Sequence, residues 1–236
     1  MTNFMEKDIK DYREKELKAF VLGNILLILV GTGLIYNIVQ PLETDNVWKA
    51  VAELFGSSVL LAIIYIYVFI FDAIIPGKIK ERIIWPIVGL PGNRIFTIIR
   101  QHNKDDRFTT HTALKVYSGL YQQIDAEKDK KECANIQNEF WYVLYQKYEG
   151  HAQVYASQRD FLLCRDMTAM MLWIFIGEIL LSWYLKAGVL YKLWIVFAIE
   201  FFLVWFAARV KGERFVYNVI AKDLARVRAE NEESGN

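Results

Sequence analysis

Four long stretches of the chain carry almost no charged side chain, and the segments between them are rich in charge. Residues 20–39 are free of charge and hold two amides, Asn24 and Asn37. Residues 54–71 form a second charge-free run, which extends over 51–75 with Glu53 and Asp72 near its ends. Residues 167–185 form a third, interrupted by Glu178, and residues 189–208 a fourth, with Lys192 and Glu200 inside it. A surface helix of a soluble protein keeps a polar face, whereas these runs are apolar all round. Each approaches the ~20 residues that cross a ~30 Å hydrocarbon core. The pattern predicts an all-α, polytopic membrane protein with four transmembrane helices and a helical cytoplasmic domain inserted between the second and the third. For the last two runs the competing expectation is a hairpin buried in a soluble core.

The expected organisation is a cytoplasmic N-terminal segment (1–19), a transmembrane hairpin (20–76), the cytoplasmic helical domain (77–166), a second transmembrane hairpin (167–208) and an amphipathic cytoplasmic tail (209–236). The first apolar run reads as a retained anchor, because acidic residues such as Asp8, Asp11, Glu14 and Glu16 precede it and a secretory leader starts short and basic. Charge sets the orientation. The first segment carries 5 Lys/Arg, the middle segment 14 and the tail 6, against 1 and 2 in the two hairpins. The positive-inside rule then puts both termini and the middle in the cytoplasm, with the chain in the cell inner membrane. Trp183, Trp194 and Trp205 sit where interfacial aromatic belts are expected.

Within the middle segment, 83–92 is apolar but too short to span, and Pro86 and Pro91 break it. It either lies at the headgroup level or on the bundle, or forms a turn buried against the cytoplasmic domain. Thr110 is placed to cap a helix carrying Leu114, Tyr117, Leu120, Tyr121 and Ile124. A second helix carries Ile136, Phe140, Val143, Leu144 and Tyr148. A third runs from about Ala152 into the third apolar run with no Pro or Gly before Gly177. In the tail, Phe215, Val219, Ile220, Leu224 and Val227 form a stripe.

Composition narrows the function classes. The 236 residues are 54% hydrophobic, which excludes a disordered chain, and the net charge of +1 gives no basic excess for nucleic acid. Two cysteines, Cys133 and Cys164, are too few for a disulfide scaffold. With His102, His111 and His151 they show no zinc spacing, and no P-loop, GxSxG, HExxH or GxGxxG is present. No enzyme activity, catalytic residue, metal or cofactor is expected.

Glu178 and Glu200 are the most informative residues. An ionisable group at the centre of a membrane helix costs ~2.5–3.5 kcal/mol on insertion scales, so it usually faces the bundle interior or water. At ~1.5 Å per residue, Glu178 lies ~16 Å and Glu200 ~12 Å from the inner ends of two antiparallel helices. Such a pair would share a proton or face a cation path. The competing expectation is that each is a neutral acid bonded within the bundle, with Asn24 and Asn37 as possible partners. Asp72 belongs to the same polar set, nearer the cytoplasmic exit. Arg94, Arg100, Lys104 and Arg107 form a basic group that would receive an anionic ligand or lipid headgroups, or simply line a positive-inside surface. The spacings Ala52/Gly56 and Ser58/Ala62, with Gly31 and Gly33, permit close helix contact.

In outline the arrangement resembles small bacterial four-helix membrane proteins, including membrane components of antiphage defence systems. That resemblance implies oligomers that sense or permeabilise the membrane. The leading expectation is a homo-oligomeric inner-membrane protein that senses a signal or a cytoplasmic protein partner and acts on the lipid bilayer as a sensor or pore-like effector. A small proton- or cation-coupled transporter and an anchor that recruits a soluble protein are the alternatives.

Overall fold

A computed structural model describes residues 2–31, 62, 65–67, 69, 70, 73–87, 89–185 and 191–234. The described residues are helical with no strand. The helices are α1 (Thr2–Gly31), α2 (Gly77–Ile84), α3 (Ile95–Gln101), α4 (Thr110–Val116), α5 (Ser118–Ala126), α6 (Lys130–Tyr148), α7 (Ala152–Leu185) and α8 (Tyr191–Ser234), with a 3-10 turn at Pro91–Asn93. Helical residues also occur between positions 62 and 74. The small-residue positions Gly33, Ala52, Gly56 and Ser58 lie outside the described residues.

The chain divides into two compact units. One holds Met1–Lys7, Trp85–Leu162 and Ala208–Asn236. The other holds Asp8–Ile84 and Leu163–Ala207. These borders differ slightly from the charge-based ones. Helix α2 groups with the apolar runs because Lys80 buries its ammonium 3.3 Å from Asp166, and Trp205 Nε1 donates to the Ile83 carbonyl at 3.1 Å. The C-terminal stripe groups with the middle segment, and both α7 and α8 have residues in each unit.

The unit of Asp8–Ile84 and Leu163–Ala207 packs Leu17, Val21, Ile25 and Ile28 of α1 against Met170, Met171 and Ile174 of α7 and Leu193 and Phe197 of α8. The spacing of the α1 residues is that of one helix face. A Cβ on Gly31 would stand 2.6 Å from Leu193 Cδ2, so glycine permits the close approach there. The outward faces are also apolar. Leu22, Leu26 and Val30 on α1, and Ile195, Ile199, Phe202, Leu203 and Phe206 on α8, are each about half exposed or more. Among the described residues one stretch, Lys192–Glu233, is long and apolar enough to cross a membrane, and its apolar window is only 17% buried. The core helix of a soluble protein would be mostly covered. The other three apolar runs extend in part beyond the described residues.

The second unit has a core of the soluble kind. Phe96 is fully buried and meets the rings of Tyr117 and Phe140 edge-on at 5.4 Å each. Trp141 stacks on Tyr145 at 5.7 Å and meets Phe215 edge-on at 5.3 Å. The cap of α4 is Thr109, not Thr110. Thr109 has extended backbone and its hydroxyl accepts from the Thr112 N–H at 3.2 Å, while the Thr110 hydroxyl donates to the Ile99 carbonyl. The expected single helix is two, broken at Tyr117, whose φ of −101° and ψ of 28° leave the helical region. On α6 the buried stripe is Gln137, Trp141, Leu144 and Tyr148, and Val143 faces outward at 62% exposure. Asp129 caps this helix by accepting from the Lys131 N–H at 3.0 Å.

The 83–92 segment resolves into two behaviours. Ile84 and Trp85 are buried, whereas Ile87 is 92% exposed. Trp85 meets the Phe161 ring at 5.6 Å, and a Cβ on Gly212 would lie 2.5 Å from its Cη2. The buried-turn expectation therefore describes Trp85 but not Ile87.

Gly212→Ala should destabilise this unit by about 1–3 kcal/mol, the usual cost of overpacking, despite the better helix propensity of alanine. Gly119→Ala, where a Cβ meets nothing within 4 Å, should be neutral or slightly stabilising. Thermal midpoints of the detergent-purified variants check both.

Candidate functional site

The amide of Asn24 joins two helices of the apolar unit. Its Nδ2 donates to the Phe20 carbonyl at 3.1 Å on its own helix and to Glu200 Oε1 on α8 at 3.0 Å. Asn24 is 4% exposed, and its Oδ1 has no hydrogen-bond partner among the described residues. Glu200 is half-buried. Glu178 on α7 is 1% exposed, and Thr168 on the same helix is fully buried. The buried polar positions of this unit thus lie on α1, α2 and α7, with half-buried Glu200 on α8, while many leucine, isoleucine and phenylalanine side chains face outward. Chemically, Asn24 and Glu200 form an oxygen-rich contact. The carboxyl group is able to hold a proton, and carboxylate and amide oxygens are hard ligands for cations. Asn37 and Asp72 lie outside the described residues.

The basic group does not converge. Arg94 pairs with Glu213 at 3.5 Å, Arg100 with Asp125 at 2.7 Å and Arg107 with Asp105 at 2.6 Å. Arg100 also lies 5.3 Å from the Tyr121 ring centroid. Burial pushes the Asp105 carboxyl up, but the hydrogen bonds and charge of Arg107 hold it below the usual carboxylate range. Lys104 lines a cleft of about 480 Å³ with Arg107, Gln153, Arg214, Tyr217 and Asn218.

Sequence pattern alone passes over two buried carboxylates. Asp166 is 1% exposed and is surrounded by Lys80 at 3.3 Å, Arg13 at 3.3 Å and Arg165 at 3.0 Å. Its place one residue before an apolar run, after an arginine, reads as an ordinary flank. Asp223 is 4% exposed and accepts from Tyr117 at 2.9 Å, Tyr148 at 2.8 Å and Lys147 at 3.3 Å. It falls four residues after Val219, on the apolar face of the tail, and that spacing is the signal that could have found it.

Among the described residues no three His, Cys, Asp or Glu side chains are grouped to hold a metal, and Cys133 and Cys164 are not joined in a disulfide. No protein-family model, curated protein or solved structure matches the chain.

The tyrosines around Asp223 and Phe96 make the unit sensitive to alkali. Burial pushes Tyr121 up to about 12, against the nearby Arg100 charge. Burial, then the Asp223 charge and hydrogen bond, push Tyr117 higher still. An unfolded tyrosine titrates near 10. The folded phenols keep their protons longer, so stability is full below about pH 10 and falls as pH rises towards about 12. Tyr121→Phe should flatten that fall. Tyr117→Phe should flatten it too, while costing about 1–3 kcal/mol because Asp223 loses a donor. Denaturation midpoints followed by circular dichroism from about pH 8 to about 11 check the sign.

Proposed function

We propose that the chain is a homo-oligomeric, multi-pass inner-membrane protein that receives a signal or partner on its cytoplasmic helical unit and acts on the bilayer through its apolar unit. The observation that carries this reading is the inverted pattern of the apolar unit, with Asn24, Thr168 and Glu178 buried and Leu22, Leu26, Val30, Phe202, Leu203 and Phe206 facing out. In lipid that arrangement is favourable, because tails solvate the outward faces and polar groups must find partners inside. Four spans follow when the apolar runs at 20–39, 54–71, 167–185 and 189–208 are each assigned to the membrane. The excess of Lys/Arg in the first, middle and last segments supports a cytoplasmic location for both termini and the helical unit.

Asn24, Glu178 and Glu200 are the polar groups through which the bundle would act. Four helices from one chain leave no room for an aqueous path, so conduction requires several copies around an axis. Helices α7 and α8, which have residues in both units, supply a continuous backbone from signal to membrane.

Two measurements test the reading. Reporter tags at position 120 and at the carboxyl end should report the cytoplasm, and the chain should resist carbonate extraction from membranes. In liposomes, Glu178→Gln with Glu200→Gln should lower proton or cation flux at least ~10-fold, equivalent to ~1.4 kcal/mol in a barrier. Flux that survives this double change leaves the membrane part as an anchor and ends the conduction reading.

A further inference from the structure

The cleft of about 480 Å³ lies wholly within the unit of Trp85–Leu162 and Ala208–Asn236. Its volume is in the ~300–1,000 Å³ range of small-molecule sites and exceeds what a bare inorganic anion fills. The loop between α3 and α4 contributes Lys104 and Arg107, the first turn of α7 contributes Gln153, and α8 contributes Arg214, Tyr217 and Asn218. Two carboxylates also line it, and both are occupied. Arg107 binds Asp105 through Nε and Nη2, and Arg94 pairs with Glu213. Lys104 and Arg214 are exposed and have no carboxylate partner among the described residues.

Buried polar groups line the same cleft. Asn218 is 3% exposed, and no hydrogen bond holds its side chain among the described residues. Tyr217 is 8% exposed, and its hydroxyl oxygen has the Lys104 backbone N–H beside it, which leaves the phenol proton to donate. The Asn218 amide and the Tyr217 O–H therefore keep hydrogen-bonding capacity at the cleft, and a cleft is where a ligand uses it. Two uncommitted cations above amide and phenol groups match a molecule with a multiply charged anion at one end and a hydrogen-bonding body at the other.

We propose that this cleft binds a small phosphorylated molecule of about nucleotide size, its phosphate between Lys104 and Arg214 and its body on Asn218, Tyr217 and Gln153. The inference rests on the reading that this unit receives a signal, and it names the chemical class of that signal. A soluble nucleotide and a phosphorylated lipid headgroup share the required chemistry.

Calorimetric titration of the full chain in nanodiscs separates them, with adenosine monophosphate, glycerophosphoinositol phosphate and inorganic phosphate as probes. One of the two organic phosphates should bind at least ~10-fold tighter than inorganic phosphate, and which one it is assigns the source. Lys104→Ala with Arg214→Ala should weaken that binding at least ~10-fold. Asn218→Leu should weaken the organic phosphate while leaving inorganic phosphate unchanged. Both basic residues are on the surface, so an unchanged melting temperature certifies the fold of the double variant. Absence of heat with all three probes up to about 10 mM, or affinity unmoved by the double substitution, overturns the proposal. Binding that persists in a chain without membrane flux sinks only the membrane reading, and flux that persists without binding sinks only this one.

Discussion

The hydrogen bond from Asn24 to Glu200 links α1 to α8 inside a bundle whose outward faces are leucine, isoleucine and phenylalanine. In water this arrangement would be costly twice over. Exposed apolar surface forfeits roughly 25 cal/mol for each Å² left uncovered, and a buried amide with an unmet oxygen adds a desolvation penalty. In hydrocarbon the first cost vanishes, and the second becomes a reason for polar groups to face one another. Packing then has to come from close contact rather than from exclusion of water. The approach of Gly31 to Leu193 is contact of that kind.

Helix α8 changes its pattern of exposed and buried residues along a single element. Between Trp194 and Phe206, Ile195, Ile199, Phe202, Leu203 and Phe206 point outward while Phe197 is buried, and from Phe215 to Leu224 the apolar residues are buried in an aromatic core. Between the two, basic residues arrive at Arg209, Lys211 and Arg214, and Lys211 pairs with Asp160 at 2.8 Å. Burial raises the Asp160 carboxyl, but Lys211 and then Arg159 bring it below its usual range. One helical backbone thus carries two kinds of surface, and composition alone marks where one gives way to the other. Asp223 fits the second environment, where three donors compensate a carboxylate that the first could not have accommodated without comparable partners.

Much of this architecture was legible in residue order. Period and length are local properties, so the helical character, the run of α7 from Ala152 and the C-terminal stripe at Phe215, Val219, Ile220 and Leu224 could be read directly. The polarity of Asn24, Glu178 and Glu200 inside apolar runs was equally plain, though not which of them touch. Partnerships between distant positions were beyond reach. Asp166 gathers cations from positions 13, 80 and 165, and nothing in its immediate neighbourhood announces the first two. The break at Tyr117 was hidden for a similar reason. Its hydroxyl is held by Asp223, 106 residues away, and its ring by Phe96 and Phe140. Tertiary contacts of that kind override an unbroken local helical pattern.

The fate of the basic residues shows why counting charge differs from locating it. Lys and Arg excess near the membrane orients a chain during insertion, and that role needs only their position along the sequence. Once folded, each cation is free to be cancelled by a neighbour. Arg94, Arg100 and Arg107 each face a carboxylate within 3.5 Å, so their contribution to an outward field is small. Lys104 was expected in the same group and escapes this fate, and Arg214, never part of that group, joins it at the cleft. Three of the four cations expected to act together are therefore neutralised by pairing. At the cleft Lys104 and Arg214 keep their charge beside the Asn218 amide, and a discrete anion site asks for cations and polar groups placed together rather than for a count of basic residues.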